Sequence, residues 1–241
     1  MLATFRNLLR RKPADEPRPA PSDPGLELEL AARRSTAEYI MGRMRQAVLC
    51  SSRDEVLDLA MRHVAGDGLV CEFGVFEGQT VNRIAGLVPD RTVFGFDSFE
   101  GLPEHWRGPF RRGVFSTGGR LPEVRPNVRL VKGWFDATLP RFAADHAGPA
   151  ALLFIDCDLY SSTKCIFENL GGRVVPGSVI VFDEYFDYPG WERHEFRAFA
   201  EFVARARLRY EYLAYNRLHE QVAVRITARA GRGGGSRNEE G

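Results

Sequence analysis

The 241-residue chain predicts an α/β fold, a mostly parallel sheet covered by helices on both faces, and two patterns carry that prediction. Short runs apolar at every position, GLVCEF, TVFGFD, NVRLV, ALLFID and SVIVFD, alternate with stretches of helical period, so each strand must be buried from both sides. The last two runs, LRYEYLAYN and EQVAVRIT, alternate instead with period two around a short turn near Leu218, which marks an antiparallel hairpin closing the sheet.

Residues 13–25, PADEPRPAPSDPG, are too proline-dense for a helix and have no apolar period to build a core. GRGGGSRNEEG after Ala230 is too rich in glycine to pack. The expected organisation is a disordered arm over 1–25, a folded domain over 26–228 and a disordered tail over 229–241. Apolar residues at helical spacing over 26–48, then a capping box from Ser52 to Glu55, put two helices ahead of the first strand. Further helices are expected over 80–87, 139–146, 161–170 and 191–206.

Hydrophobic residues make up 44% of the chain, enough for one sizeable core. Basic and acidic side chains number 33 and 32, a balance that argues against an electrostatic footprint along nucleic acid. No apolar run approaches the roughly 18 residues of a membrane span. Cys50, Cys71, Cys157 and Cys165 lack the paired spacing of a zinc site and are too sparse for a disulfide framework, so a reducing cytoplasm is expected. In MLATFRNLLRRK the positive charges follow the apolar stretch, which is not the order of a secretory signal. Leu2, Phe5, Leu8 and Leu9 share a helical face near Arg6, Arg10 and Arg11, leaving peripheral membrane contact through residues 1–12 open beside a frayed terminus.

Ligands of an open parallel sheet bind over the carboxyl ends of its strands, which makes the following turns the place to search. The first is Glu72-Phe73-Gly74-Val75-Phe76-Glu77-Gly78. Gly74 and Gly78 permit a tight turn into a helix N-terminus, and Glu72 suits an ammonium group. Phe76 replaces the middle glycine that admits a dinucleotide pyrophosphate, which argues against a nicotinamide cofactor. A plain structural turn is the alternative. Asp97 ends the second strand where a carboxylate can accept ribose hydroxyls, or else it caps a turn with Ser98. After the third strand, Gly133, Trp134, Phe135 and Asp136 offer rings that either stack on adenine or belong to the core.

The later strands end in acid. ALLFIDCDLYSSTK delivers Asp156 and Asp158, with Ser161 or Ser162 able to cap the next helix, and VIVFDEYF delivers Asp183 and Glu184. If these two strands are neighbours, about 4.8 Å apart, the carboxylates converge and require a counter-ion. Magnesium, a hard cation with oxygen ligands, is the expected one; the alternative has one carboxylate capping a helix and the others solvated.

EFGVFEG, DSFEGLP, KGWFDATLP, IDCDLYSSTK and VIVFDEY, in this order, resemble class I S-adenosylmethionine-dependent methyltransferases, and most closely the macrocin, mycinamicin and noviose O-methyltransferases of antibiotic-sugar biosynthesis. The resemblance covers roughly residues 37–226. It implies a Rossmann-like seven-stranded sheet of order 3-2-1-4-5-7-6 over 67–228, behind a helical lid over 26–66. It also implies that Glu72, Gly74 and Gly78 line the methionine end of the cofactor, Asp97 with Ser98 the ribose, and Gly133, Trp134 and Asp136 the adenine. Asp156, Asp183 and Glu184 match the family's metal ligands and Asp158 its proposed general base, which makes Asp158 and Asp156 the catalytic pair. Glu184 departs from the pattern, since several members carry Asp there. The segment GLPEHWRGPFRRGVFSTGGR would complete the lid, its Trp106, Phe110 and Phe115 either covering a sugar face or docking the loop on the core.

The activity implied is Mg-dependent methyl transfer from S-adenosylmethionine to a sugar hydroxyl of a glycosylated natural product or glycan. A catechol-like diol is the alternative acceptor, and a scaffold that binds the cofactor without chemistry is the alternative class. The four carboxylates favour the enzyme, because a mere cofactor binder has no need to gather that charge. His194 at a helix start and His219 in the hairpin turn are other candidate bases, expected to be exposed polar positions. Assembly into a homo-oligomer is left open.

Overall fold

A computed structural model describes residues 23–230. The arm as far as residue 22, the segment 1–12 and the tail from 231 lie outside the described residues. In chain order the elements are α1 (Pro24–Arg43), β1 (Val48–Cys50), α2 (Arg53–Met61), β2 (Leu69–Phe73), α3 (Gln79–Leu87), β3 (Val93–Asp97) and β4 (Val128–Lys132). There follow α4 (Phe135–Asp145), β5 (Ala150–Ile155), α5 (Tyr160–Leu170), β6 (Val179–Phe182), α6 (Glu195–Ala206), β7 (Leu208–Asn216) and β8 (Val222–Arg229).

The sheet has eight strands rather than seven, in the order β1-β7-β8-β6-β5-β2-β3-β4. Seven of them follow the expected order, with β8 antiparallel between β6 and β7. The eighth, β1, pairs in parallel with the end of β7 at the sheet edge. It corrects the expectation of a helix running to residue 48: α1 ends at Arg43, and Val48, Leu49 and Cys50 then form a three-residue strand, Val48 and Leu49 half-exposed and Cys50 buried, too short to show a period.

Two other boundaries move for local reasons. Asp23 accepts from the N–H groups of Gly25 and Leu26 at 3.0 and 3.1 Å and Pro24 fills the first turn, so the presumed end of the arm is the start of α1. Helix α4 begins at Phe135, four residues earlier than expected, and carries Pro140 inside it. The expected capping by Ser52 holds, its hydroxyl accepting from Glu55 N at 3.2 Å.

Both faces of the sheet are covered. Cys71 and Phe73 of β2, Leu153 and Ile155 of β5 and Ile180 and Phe182 of β6 pack under α4, α5 and α6. Val70, Leu152, Phe154, Val179 and Val181 face the other way, onto Val56, Leu57 and Ala60 of α2 and Val81, Ile84 and Ala85 of α3. Successive residues of one strand thus enter two cores, which is why these strands read as continuously apolar. Among the described residues no helix is long and apolar enough to cross a membrane.

Candidate active site

The carboxyl ends of β2 to β6 open into one cavity of about 720 Å³. Glu72, Gly74, Asp97, Ser98, Gly133, Trp134, Asp136, Asp156, Asp158, Asp183 and Glu184 all line it, so of the expected site residues only Gly78 is off the wall. Gly78 instead precedes α3 at φ 82°, and its neighbours Glu77 and Gln79 face the cavity.

Gly74 is required by contact as well as conformation. At φ 98°, an added Cβ would lie 1.6 Å from the carbonyl oxygen of Asp156, so this glycine lets the β2 turn pass against the end of β5. Beside it, the Asp97 carboxylate holds the turn from the next strand: Oδ2 accepts from Val75 N and Phe76 N, both at 2.8 Å, and Oδ1 from Phe99 N at 2.6 Å. Three of about four lone-pair positions are therefore occupied, which leaves one for a ligand hydroxyl. Ser98 is committed to its own turn, its hydroxyl accepting from Glu100 N at 3.1 Å. Glu72 is 1% exposed, and its Oε2 has no hydrogen-bond partner. Burial, then the neighbouring Asp156, push its carboxyl well above the usual range, leaving an acceptor that a ligand ammonium would satisfy. Trp134 is half-buried in the cavity wall, whereas Phe135, also in that wall, packs edge-on against Phe73 in the core.

The acidic cluster has an internal counter-ion that local sequence did not reveal. Arg53, the first residue of α2, bonds Asp156, and its Nε lies 2.6 Å from Asp183 Oδ1. Asp156, Asp158 and Glu184 each present an oxygen within 4.8 Å of the others. The closest trio thus contains Asp158 where the resemblance implies Asp183. Burial, followed by Asp183, raises the carboxyl of Asp156 well above its usual range and that of Asp158 to about 7; Glu184 is raised by the same causes. Glu184 Oε2 is buried without a partner, and an acceptor-only donor set of this kind fits a hard divalent cation. Asp158 sits at φ 63°, an uncommon backbone for a residue other than glycine, at the point where the chain turns into the cavity.

The 101–120 segment forms one wall. Trp106, Phe110 and the more exposed Phe115 all line the cavity, and Trp106, 7% exposed and against Tyr188, and Phe110 also pack on the core. Arg107 fixes the segment: its guanidinium stacks between Trp106 and Tyr188 and forms a bidentate pair with Glu220 at 2.9 and 2.7 Å. Ser161 donates to Glu104 at 2.5 Å, so it ties this segment to α5 rather than capping the helix. His219 is exposed as expected. His194 is half-buried beside Trp106 and Tyr188, and burial lowers its pKa; it is absent from the cavity wall.

Residues 71–185, from β2 through the acidic ends of β5 and β6, match the model of a methyltransferase domain. That stretch of the chain is similar to a methyltransferase domain. Curated relatives of that domain include demethyldecarbamoylnovobiocin O-methyltransferase of Streptomyces niveus, 32% identical over 57% of this chain and 59% of that protein. The 8-demethyl-8-(2,3-dimethoxy-alpha-L-rhamnosyl)-tetracenomycin-C 4'-O-methyltransferase of Streptomyces olivaceus is 35% identical over 54% and 58%. The chain thus spans less than two thirds of the length of the curated relatives it matches. The crystal structure of the calicheamicin methyltransferase CalS11 shares the fold, with a TM-score of 0.56 and 24% identity over 86% of this chain and 94% of that one.

Proposed function

We propose that this chain is an S-adenosylmethionine-dependent O-methyltransferase acting, in the cytoplasm, on a hydroxyl of a sugar in a glycosylated natural product or glycan. One observation carries the reading: a single cavity joins the Glu72–Gly74–Asp97 turn to the Asp156–Asp158–Glu184 cluster, so a donor and a hydroxyl can meet in it. The rhamnosyl acceptor named for the Streptomyces olivaceus relative supports the substrate class. Four unpaired cysteines support a reducing compartment.

When bound, S-adenosylmethionine supplies an electrophilic methyl group on a sulfonium. Glu72 receives its ammonium, the remaining lone pair of Asp97 one ribose hydroxyl, and Trp134 the adenine face. Carboxylates of Asp156, Asp183 and Glu184, with Asp158 beside them, would hold a magnesium ion, which would supply Lewis acidity to a nearby hydroxyl. Asp158 would accept the hydroxyl proton on its carboxylate as the acceptor oxygen takes the methyl group and the sulfur keeps the electron pair of the bond it loses. Its elevated pKa suits that role, being near neutrality. Phe110 and Phe115 cover the acceptor side and exclude water.

A second reading has its own observation: Arg53 already neutralises Asp156 and Asp183, which would let the reaction run without metal. Mass spectrometry on a panel of glycosylated acceptors, with the donor and with or without EDTA, tests both. A methylated sugar that vanishes in EDTA is expected; activity retained in EDTA would select the second reading, and no product with any sugar would reject the substrate class.

A further inference from the structure

Glu195, the first residue of α6, has a side chain that is 0% exposed and is not used by its own helix. An acidic residue in a first helical turn ordinarily faces water near the helix N-terminus. Here the carboxylate reaches two loops instead. Its Oε1 accepts from Cys157 N at 3.3 Å and Asp158 N at 3.2 Å, and its Oε2 accepts from Glu184 N at 3.3 Å. The register between β5 and β6 ends with Ile155 opposite Phe182, and the last backbone bond across them runs from Asp183 N to Ile155 O at 2.9 Å. Asp158 and Glu184 lie past that point, where the ladder no longer sets their spacing. The left-handed backbone of Asp158 also needs an outside constraint to persist, and a bond to its own N–H is one.

We propose that Glu195 is a positioning residue that ties the ends of β5 and β6 together through three backbone N–H groups, setting the arrangement in which Asp156, Asp158 and Glu184 face a common point. The inference rests on reading those carboxylates as the cation and proton-transfer site. Glu195 touches no reacting atom; it acts through the two loops.

Glu195→Gln is the test, because it keeps the shape but turns one of the two ends into an N–H donor facing N–H donors. The full chain is compared with Phe202→Leu, which loosens α6 at its stack on Phe167 and touches neither loop. Three readouts are taken: hydrogen exchange of peptides spanning 156–159 and 183–185, and calorimetric affinities for magnesium and for S-adenosylhomocysteine. Glu195→Gln should lose protection in at least one loop and bind magnesium about 10–100-fold more weakly, with S-adenosylhomocysteine affinity retained. Phe202→Leu should lower the melting temperature and leave all three readouts in place. Unchanged exchange and magnesium affinity in Glu195→Gln would overturn the proposal, as would equal losses in Phe202→Leu. A wild type that methylates no acceptor would fail the function reading alone, and the exchange and magnesium readouts would still decide Glu195.

Discussion

Asp158 and Arg53 make opposite predictions at the same cluster. If Asp158 receives the proton, Asp158→Asn should lower kcat by roughly 10²–10⁴ with S-adenosylhomocysteine affinity unchanged and no rescue by added magnesium, as steady-state kinetics and calorimetry will read. Arg53 repels any cation entering beside it. Arg53→Gln should therefore tighten magnesium binding by roughly tenfold at neutral pH, whereas a metal-independent enzyme would lose activity with no magnesium dependence gained. The carboxylates of this site were legible because each ends an apolar strand, a position the local pattern marks. Arg53 and Arg107 were not, since their partners Asp156 and Glu220 lie 103 and 113 residues away and only the closed sheet brings them together. A shorter separation, 22 and 21 residues, still hid the partial commitment of Asp97 to Val75 and Phe76 of the glycine turn.

The elements that carry the site were legible where burial on two faces left a mark, as in β2, β5 and β6. They were hidden where a feature is short or contradicts propensity, as in β1 and in the first turns of α4 before Pro140. Two elements can be tested directly. Gly74→Ala places a side chain against the Asp156 carbonyl at a positive φ, so it should cost about 3 kcal/mol or more, seen as a lower denaturation midpoint in urea. The 101–120 wall is held by the Arg107–Glu220 pair, and Glu220→Gln removes the charge that orients Arg107. Hydrogen exchange over 101–120 should quicken and the acceptor KM should rise, with donor affinity unaffected.

For the whole molecule, the gathered carboxylates make stability depend on pH in a defined direction. The carboxyl of Asp158 is raised to about 7 in the folded chain from about 3.9 when unfolded, so its contribution is fully present below the lower value and is lost as pH rises through the upper. The metal-free protein should therefore lose melting temperature across that interval, and Asp158→Asn should flatten the curve. If one cavity receives the donor's adenosyl and amino-acid ends, calorimetric titration of the full chain with S-adenosylhomocysteine, with NAD as the comparison, reads it most directly. Saturable binding of S-adenosylhomocysteine, weakened by Asp97→Ala and worth about 2.7 kcal/mol of added stability at a hundredfold excess over its Kd, is the predicted result. No binding of S-adenosylhomocysteine, or binding of NAD in its place, would contradict it.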